Sequence, residues 1–188
     1  MYNIGFCITG SYCTFSTIFP ILGDIVAAGH SVQTIFSDNA YSNDTRFGEA
    51  ASWVERAEKI TGKEPWHTIA EVEPIGPGKL FDLLIIAPCT GNTLGKLARG
   101  ISDTAVTMAA KAQMRNERPV LLGVSTNDAL SGSAENLGKL LNTRNVFFIP
   151  LRQDDALGKP RSLVADFSRT AAAAKAAING EQAQPILC

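Results

Sequence analysis

Hydrophobic and polar residues along the chain form blocks that predict strands alternating with helices. Five short apolar runs, each bounded by small polar or turn residues, cover residues 4–8, 32–36, 83–87, 119–124 and 146–150. Such runs are typical of strands buried on both faces of a parallel sheet. Between them, apolar residues recur at three- and four-residue spacing, which predicts helices that pack one face on the sheet. The pattern therefore predicts an α/β fold with a central parallel sheet.

The run at residues 83–87 is predicted to be the central strand. It is expected to end at Pro88, and a helix carrying Leu94 and Leu97 follows it. Between these two elements lies a short polar loop. In open α/β sheets, ligands bind at the carboxyl ends of the strands, where helix N-termini leave unpaired N–H groups.

Two parts of the chain give weaker patterns. The segment of residues 63–79 is rich in Pro and Gly and predicts only a short strand or helix near residues 68–72. The end of the chain is Ala-rich and predicts a helix at residues 162–178. Its apolar face is expected to carry Leu163, Val164 and Phe167.

Small hydroxyl residues follow four of the predicted strands, at Ser11, Ser37, Thr90 and Ser125. Because the carboxyl ends of parallel strands meet at one edge of a sheet, these side chains should line one crevice. Helix N-termini and hydroxyls together suit a phosphate or the polar edge of a heterocycle. The same residue types also serve as plain helix N-caps, so the agreement among the four loops matters more than any one of them.

The turn after the first strand is not a dinucleotide fingerprint. Gly10 is the only glycine in that turn, whereas a nicotinamide dinucleotide site needs the spacing GxGxxG. A mononucleotide has only one phosphate and does not require these additional glycines, so it is compatible with this turn.

The length of the chain indicates the number of domains, and its charge and hydropathy exclude some classes of partner. The chain has 188 residues, which fits a single domain over residues 1–188. Its formal net charge of −1 argues against a general nucleic-acid surface. No apolar run approaches the ~20 residues needed to span a bilayer, and the first residues lead directly into a strand without a signal pattern. We therefore expect a cytoplasmic protein with neither a nucleic-acid nor a membrane partner.

Cysteine and histidine residues give no metal site. The four cysteines form no CxxC pair and no Cys/His cluster, so neither zinc nor a disulfide framework is predicted. Cys89 stands in the loop after the central strand, where it either packs in the protein or has a lowered pKa. His67 is either structural or an acid/base group.

Three motifs resemble the flavoprotein family of homo-oligomeric flavin-containing cysteine decarboxylases. They are ITGS at residues 8–11, APCTGNTLGKLARGISD at residues 87–103 and GVSTNDAL at residues 123–130. The resemblance covers roughly residues 3–150. It implies a Rossmann-like three-layer α/β/α fold, FMN as cofactor and assembly into a homo-oligomer.

The same resemblance implies roles for individual residues. Gly10, Ser11 and Ser37 would hold the flavin phosphate, with Asn39 beside them. The isoalloxazine or ribityl region would face Thr90, Asn92 and Thr93, next to Pro88 and Cys89. The residues that would close the site are Ser125, Thr126 and Asn127.

Within that family, longer stretches are similar to the B-subunit family of bacterial dipicolinate synthases. They include NDTRFGEAASWVE at residues 43–55 and NVFFIPLRQDD at residues 145–155. This implies an oxidoreductase subunit in the mother cell of a sporulating bacterium. With a partner A subunit that carries NAD(P), it would make pyridine-2,6-dicarboxylate from a hydroxy-tetrahydrodipicolinate precursor. Arg46 or Arg115 would clamp a carboxylate of this dicarboxylate substrate.

Two departures from the decarboxylase pattern leave alternatives open. His67 is separated from Pro88 by the Pro/Gly segment, and Ser125-Thr126-Asn127 stands where the decarboxylases have Pro-x-Met-Asn. The alternatives to the oxidoreductase are an FMN-dependent decarboxylase and a non-catalytic binding or regulatory subunit.

Overall fold

The computed structural model describes residues 1–188 and contains a seven-stranded sheet with helices on both faces. The strands are β1 Asn3–Ile8, β2 Ser31–Phe36, β3 Leu83–Cys89, β4 Val120–Thr126, β5 Val146–Phe148, β6 Leu151–Arg152 and β7 Leu163–Ala165. The helices are α1 Phe15–Ala27, α2 Asp38–Ser42, α3 Ala50–Thr61, α4 Ile69–Val72, α5 Ile75–Gly78, α6 Gly91–Arg99, α7 Ala105–Arg115, α8 Ala134–Leu141 and α9 Thr170–Ile178. Short 3₁₀ turns at Tyr12–Thr14 and Phe167–Arg169 precede α1 and α9.

The sheet is parallel through its centre and antiparallel at one end. Its strand order is β2-β1-β3-β4-β7-β6, and β5 also pairs with β4. Pairings among β2, β1, β3, β4 and β5 are parallel, whereas β7 is antiparallel to both β4 and β6. The central, fully buried strand is β3. The predicted α/β class with a central parallel sheet is confirmed.

Helices cover both faces of this sheet. On one face, α1 packs against α3, and a groove separates α1 from α9. On the other face, α7 packs on β2, β3 and β4 and is flanked by α4 and α5. The buried apolar side chains form one continuous cluster of 48 residues between these layers. A three-layer α/β/α arrangement therefore holds the strand ends in fixed positions.

Two of the predicted strands are longer than their apolar runs. The strand β3 does not stop at Pro88 but continues to Cys89, and its pairing with β4 shifts register between Ile86 and Cys89. The strand β4 likewise extends to Thr126. The extension of β3 is still buried, whereas that of β4 ends in the half-buried Ser125 and Thr126.

The prediction of one helix over residues 162–178 is wrong in its first half. Leu163 and Val164 lie in β7, and the helix α9 begins only at Thr170. The reason lies in β4, because β5 pairs only with its first half, from Val120 to Leu122. The strand β7 pairs with Ser125 and Thr126 instead, so the backbone groups at the end of β4 also have hydrogen-bond partners.

Cys7 and Cys89 are core residues on the neighbouring strands β1 and β3. Both are 0% exposed. Burial raises the pKa of the Cys89 thiol to about 12, and burial together with the nearby Cys89 raises the pKa of Cys7 as well. Both thiols therefore stay neutral at physiological pH, which agrees with the packing interpretation of Cys89.

No helix has the length and apolar character needed to cross a membrane.

Replacing Gly123 by Ala should destabilise the protein. An added Cβ would lie 2.9 Å from Phe167 Cε1, 3.0 Å from Ala87 Cβ and 3.1 Å from Ile149 Cδ1. Overpacking of this kind costs about 1–3 kcal/mol. The control is Gly138→Ala in α8, where nothing lies within 4 Å of the added carbon. Urea unfolding should show a loss for the first variant and a gain of about 0.5–1 kcal/mol for the second.

Thiol titration should separate the four cysteines into two classes. Cys13 and Cys188 are exposed and should react quickly with a disulfide reagent, whereas Cys7 and Cys89 should react only after unfolding. Because the pKa of Cys89 is about 12, raising the pH from neutral to mildly alkaline should not speed its reaction. A double variant, Cys13→Ser with Cys188→Ser, should show no fast phase; a remaining fast phase would contradict the burial.

Candidate functional site

A continuous polar crevice runs along the carboxyl ends of β1 to β4. It comprises three adjoining cavities, each within the range of about 300–1,000 Å³ usual for small-molecule sites. The β1–β4 cavity has a volume of about 680 Å³ and is bounded by Ser11, Thr90 and Ser125. The β2 cavity measures about 360 Å³ and reaches Ser37, and the α6–α8 cavity measures about 610 Å³. Shared lining residues, such as Thr90 and Asn92, connect the three.

The turn after β1 is hydrogen-bonded to the ends of two other strands. Ser11 Oγ lies 2.8 Å from Ser125 Oγ at the end of β4. The Tyr12 hydroxyl donates to the carbonyl of Asn39, just beyond β2, at 2.7 Å. The turn that leads into α1 therefore lines both the β1–β4 cavity and the β2 cavity.

Thr9 joins the ends of β1 and β3. Its hydroxyl donates to the carbonyl of Pro88 at 2.6 Å and accepts from the N–H of Thr90 at 3.1 Å. The residue is 1% exposed. Thr90 in turn caps α6, since its side chain accepts from the N–H of Thr93 at 3.3 Å. Thr9 was not singled out from the sequence, although it follows its strand directly, as Ser37 and Thr90 follow theirs.

The end of β4 is held by a second small network. The hydroxyls of Thr126 and Ser133 donate to the two carboxylate oxygens of Asp128 at 2.6 and 3.0 Å. Gly91 packs so closely on this group that an added Cβ would lie 2.6 Å from Thr126 Oγ1 and 2.9 Å from Asp128 Oδ1. Asp128 was also missed from the sequence, because only the fold brings its partners together.

Most of the predicted cofactor residues lie along this crevice. They are Gly10, Ser11, Ser37, Asn39, Thr90, Asn92, Thr93, Ser125, Thr126 and Asn127. Pro88 and Cys89 are the exceptions. Both are buried in β3 and neither lines any of the three cavities, because the strand continues past the point where a loop was expected. A contact of either side chain with a ligand in the crevice is therefore not supported.

The lysines that line the crevice are paired with carboxylates. Lys96 Nζ lies 2.8 Å from Asp103 Oδ1, and this hydrogen bond holds the pKa of Asp103 below its ordinary value. Lys159 Nζ lies 3.0 Å from Asp154 Oδ2, which raises the pKa of Lys159. In each pair the carboxylate offsets the positive charge of the lysine. The lining residues near the strand ends therefore offer a ligand mainly neutral hydroxyls and backbone donors.

The two arginines expected as carboxylate clamps lie at opposite ends of the strands. Arg46 lies over the Phe47 ring, 4.8 Å from its centroid, and Phe47 lines the β1–β4 cavity. Arg115 ends α7 and lies against Gly76 of α5, near the amino end of β3. Since the seven residues of β3 span about 20 Å, Arg115 does not reach the crevice of its own chain. The assignment of Arg115 is therefore not supported within one chain.

Neither histidine lines the crevice. The ring of His67 is stacked on Tyr41, with centroids 3.7 Å apart and an interplanar angle of 13°. His30 accepts a hydrogen bond from the N–H of Tyr2 at 3.2 Å. Of the two interpretations of His67, this geometry favours the structural one.

The donor set of the crevice fits a flavin mononucleotide. Ser11 precedes the 3₁₀ turn that leads into α1, and Ser37 and Thr90 are the N-caps of α2 and α6. Hydroxyls and helix N-termini bind a phosphate without requiring an unpaired lysine. The larger cavities leave room for a planar ring system, and Asn92 and Asn127 add exposed amides.

The sequence profile of the Flavoprotein family matches residues 1–174 of this chain. The chain is also 46% identical over 185 residues to the B subunit of dipicolinate synthase from Bacillus subtilis (strain 168), covering 98% of this chain and 92% of that protein.

Solved structures agree with this relationship. The crystal structure of the dipicolinate synthase B subunit from Bacillus halodurans C has a TM-score of 0.91 and 38% sequence identity, covering 100% of this chain and 96% of that one. The FMN-dependent cysteine decarboxylase SpaF has a TM-score of 0.69 at 16% identity, covering 95% and 96% of the two chains, and so shares the fold. The chain therefore belongs to the Flavoprotein family and is similar over nearly its whole length to the B subunit of dipicolinate synthase.

Proposed function

We propose that this chain is the flavin-binding subunit of a dipicolinate synthase. With a partner A subunit, it would form pyridine-2,6-dicarboxylate oxidatively from a hydroxy-tetrahydrodipicolinate precursor during sporulation. The observation that carries this proposal is the 46% identity over 98% of the chain to the B subunit of the Bacillus subtilis enzyme. The hydroxyl-lined crevice at the carboxyl ends of the strands supports the proposal, because its donors suit the phosphate of a flavin.

The phosphate of FMN would bind between the turn after β1 and the start of α2. Gly10 lines both the β1–β4 cavity and the β2 cavity, and the phosphate would meet the hydroxyl of Ser11 from the first and that of Ser37 from the second. The Ser37 hydroxyl now accepts only a long hydrogen bond, 3.4 Å from the N–H of Ala40, so it keeps the capacity to donate to a phosphate oxygen. Helix N-termini add a favourable electrostatic potential.

The flavin ring would lie near the ends of β3 and β4. Thr90, Asn92 and Thr93 would face it from α6, and Ser125, Thr126 and Asn127 would close the opposite side. When bound, FMN would supply an acceptor for the hydride that aromatisation of the ring must release. The residues of this chain would orient the two rings and limit the access of water.

The nicotinamide cofactor would belong to the A subunit. In this chain, Tyr12 occupies the position after Ser11 and fills the turn with an aromatic ring, where a dinucleotide fingerprint would need space for a second phosphate. We further propose that residues 1–188 act as one flavoprotein-like domain, that the chain assembles into a homo-oligomer, and that it works in the cytoplasm of the mother cell.

Decarboxylation is the weaker alternative for this crevice. The decarboxylase resemblance would need a histidine near the central strand, but His67 is stacked on Tyr41 and lies outside the cavities. The match to SpaF, at 16% identity, extends to the fold alone.

Adding FMN to the purified chain should give a bound flavin spectrum, and Asn92→Ala should weaken the binding. Asn92 is exposed at the start of α6 and lines two of the cavities, so its amide can hydrogen-bond the cofactor. Loss of such bonds costs about 1–1.5 kcal/mol, or about a tenfold rise in Kd measured by titration.

The matched control is Asn142→Ala. Asn142 follows α8, is exposed and lies outside the crevice. Its removal should leave the Kd for FMN unchanged. Absence of FMN binding by the wild-type chain would refute the cofactor assignment, and equal losses in both variants would refute the proposed position.

Reconstitution with the A subunit tests the reaction itself. The complete system should form the aromatic dicarboxylate, and under anaerobic conditions the bound flavin should bleach when the precursor is added. Ser125→Ala and Asn92→Ala should each lower the rate, because both side chains line the crevice. Full activity in both variants, with no bleaching, would favour the non-catalytic binding subunit instead.

A further inference from the structure

We propose that Arg46 and Phe47 form the recognition element for a planar ring that carries a carboxylate. Phe47, which lines the β1–β4 cavity, would stack on the ring, and Arg46, whose guanidinium lies over Phe47, would bind the carboxylate. The inference rests on the proposed function and deepens it, because it assigns the substrate side of the crevice to two residues. It also selects Arg46 over Arg115 on structural grounds.

The loop between α2 and α3 holds these two side chains in a tight hairpin-like turn. Thr45 and Gly48 exchange two backbone hydrogen bonds of 3.1 and 3.0 Å, which places Arg46 and Phe47 at the tip. The N–H of Phe47 also donates to the Thr45 hydroxyl at 3.1 Å. At the end of the loop, Asp44 Oδ1 accepts from the N–H of Ala50 at 2.8 Å, at the start of α3. The tip is therefore anchored at its base.

Gly48 fixes this turn against the body of the protein. Its φ of +135° is a conformation that glycine adopts easily. An added Cβ would lie 2.8 Å from Nε1 of Trp53, so the indole ring packs directly beneath the loop. Trp53 itself packs on Phe15 and Phe19 of α1. The position of the tip is thus set by the hydrophobic core.

Phe47 gives the cavity an apolar ring in otherwise mostly polar surroundings. It lines the β1–β4 cavity together with Ser11, Thr90, Ser125 and Val164, and it is 40% exposed. An exposed aromatic ring in a polar cavity offers little to an aliphatic anion. It does favour a second planar ring, which can pack in an offset or edge-to-face arrangement.

Arg46 is a cation beside this cavity that no carboxylate of the chain neutralises. The ion pairs of the chain involve other residues, and those near the crevice use Lys96, Arg99 and Lys159. Its guanidinium lies 4.8 Å from the centroid of the Phe47 ring, so one ligand could contact both the charge and the ring. A guanidinium binds a carboxylate through two parallel hydrogen bonds, which also fixes the orientation of an attached ring.

The experiment compares ring and chain dicarboxylates on the complete protein in metal-free buffer. Calorimetric titration with pyridine-2,6-dicarboxylate should show saturable binding. Pimelate, a flexible dicarboxylate, should bind at least about tenfold more weakly, because it cannot stack. Tryptophan fluorescence should change with the ring acid, since Trp53 packs beneath the turn that carries Phe47.

Substitutions separate the two contributions. Phe47→Ala and Arg46→Gln should each raise the Kd for the ring acid about tenfold, whereas Phe47→Tyr should leave it nearly unchanged. Arg46→Lys should fall between, because it keeps the charge but loses the paired hydrogen bonds. Arg115→Gln is the matched control and should have no effect, since Arg115 lies at the opposite end of the strands. Because Phe47 and Arg46 are exposed, all these variants should fold.

Titration of FMN into the same variants distinguishes failure of this inference from failure of the proposed function. Unchanged FMN affinity with weakened binding of the ring acid supports the inference. Unchanged affinity for both ligands in Phe47→Ala and Arg46→Gln overturns it and leaves the flavin site standing. Loss of FMN affinity in Phe47→Ala also overturns it, since the ring would then belong to the cofactor site. If the wild type binds the ring acid but no FMN, the inference stands and the cofactor assignment fails.

Discussion

The arrangement of the crevice depends on the hydroxyl of Thr9, buried between the ends of β1 and β3. By donating to Pro88 and accepting from Thr90, it holds together two strands from which the chain departs toward opposite faces of the sheet. Divergence of the connections at such a point opens a crevice in α/β folds. The Thr9 bridge keeps the two strand ends in contact there, so that Ser11 and Thr90 converge on the same space.

A second constraint is the charge balance of the crevice. Lys96 and Lys159 are each bound to an aspartate, and the Asp128 carboxylate accepts two hydroxyl hydrogen bonds. The charged groups near the strand ends are thus largely satisfied within the protein. At the strand ends a phosphate would meet hydroxyls and backbone N–H groups, which favours recognition by geometry and hydrogen bonding over general electrostatic attraction.

The sequence was sufficient for the elements that depend on local pattern. The continuous apolar run before Pro88 identified the central strand, and the recurrence of Ser and Thr after the strands located the crevice. It was not sufficient where a distant partner decides the structure. Leu163 and Val164 suit a helix face or a strand equally, and only the unpaired end of β4 selects the strand. Likewise, the remoteness of Arg115 and the roles of Thr9 and Asp128 follow from tertiary contacts between residues far apart in sequence.

The strand β4 pairs with β5 along its first part and with β7 at its end, and this division allows one part of the fold to change during evolution. One wall of the β1–β4 cavity, including Ser162 and Val164, comes from the antiparallel ribbon of β6 and β7. This ribbon joins the parallel sheet at the end of β4, through the pairing of Ser125 and Thr126 with Val164 and Leu163 and a hydrogen bond from the Ser162 hydroxyl to the carbonyl of Thr126. Its connecting segment can therefore vary in length and composition while the register of the parallel strands stays the same. A fold built in this way can diversify its chemistry by remodelling an attachment and can leave its core unaltered.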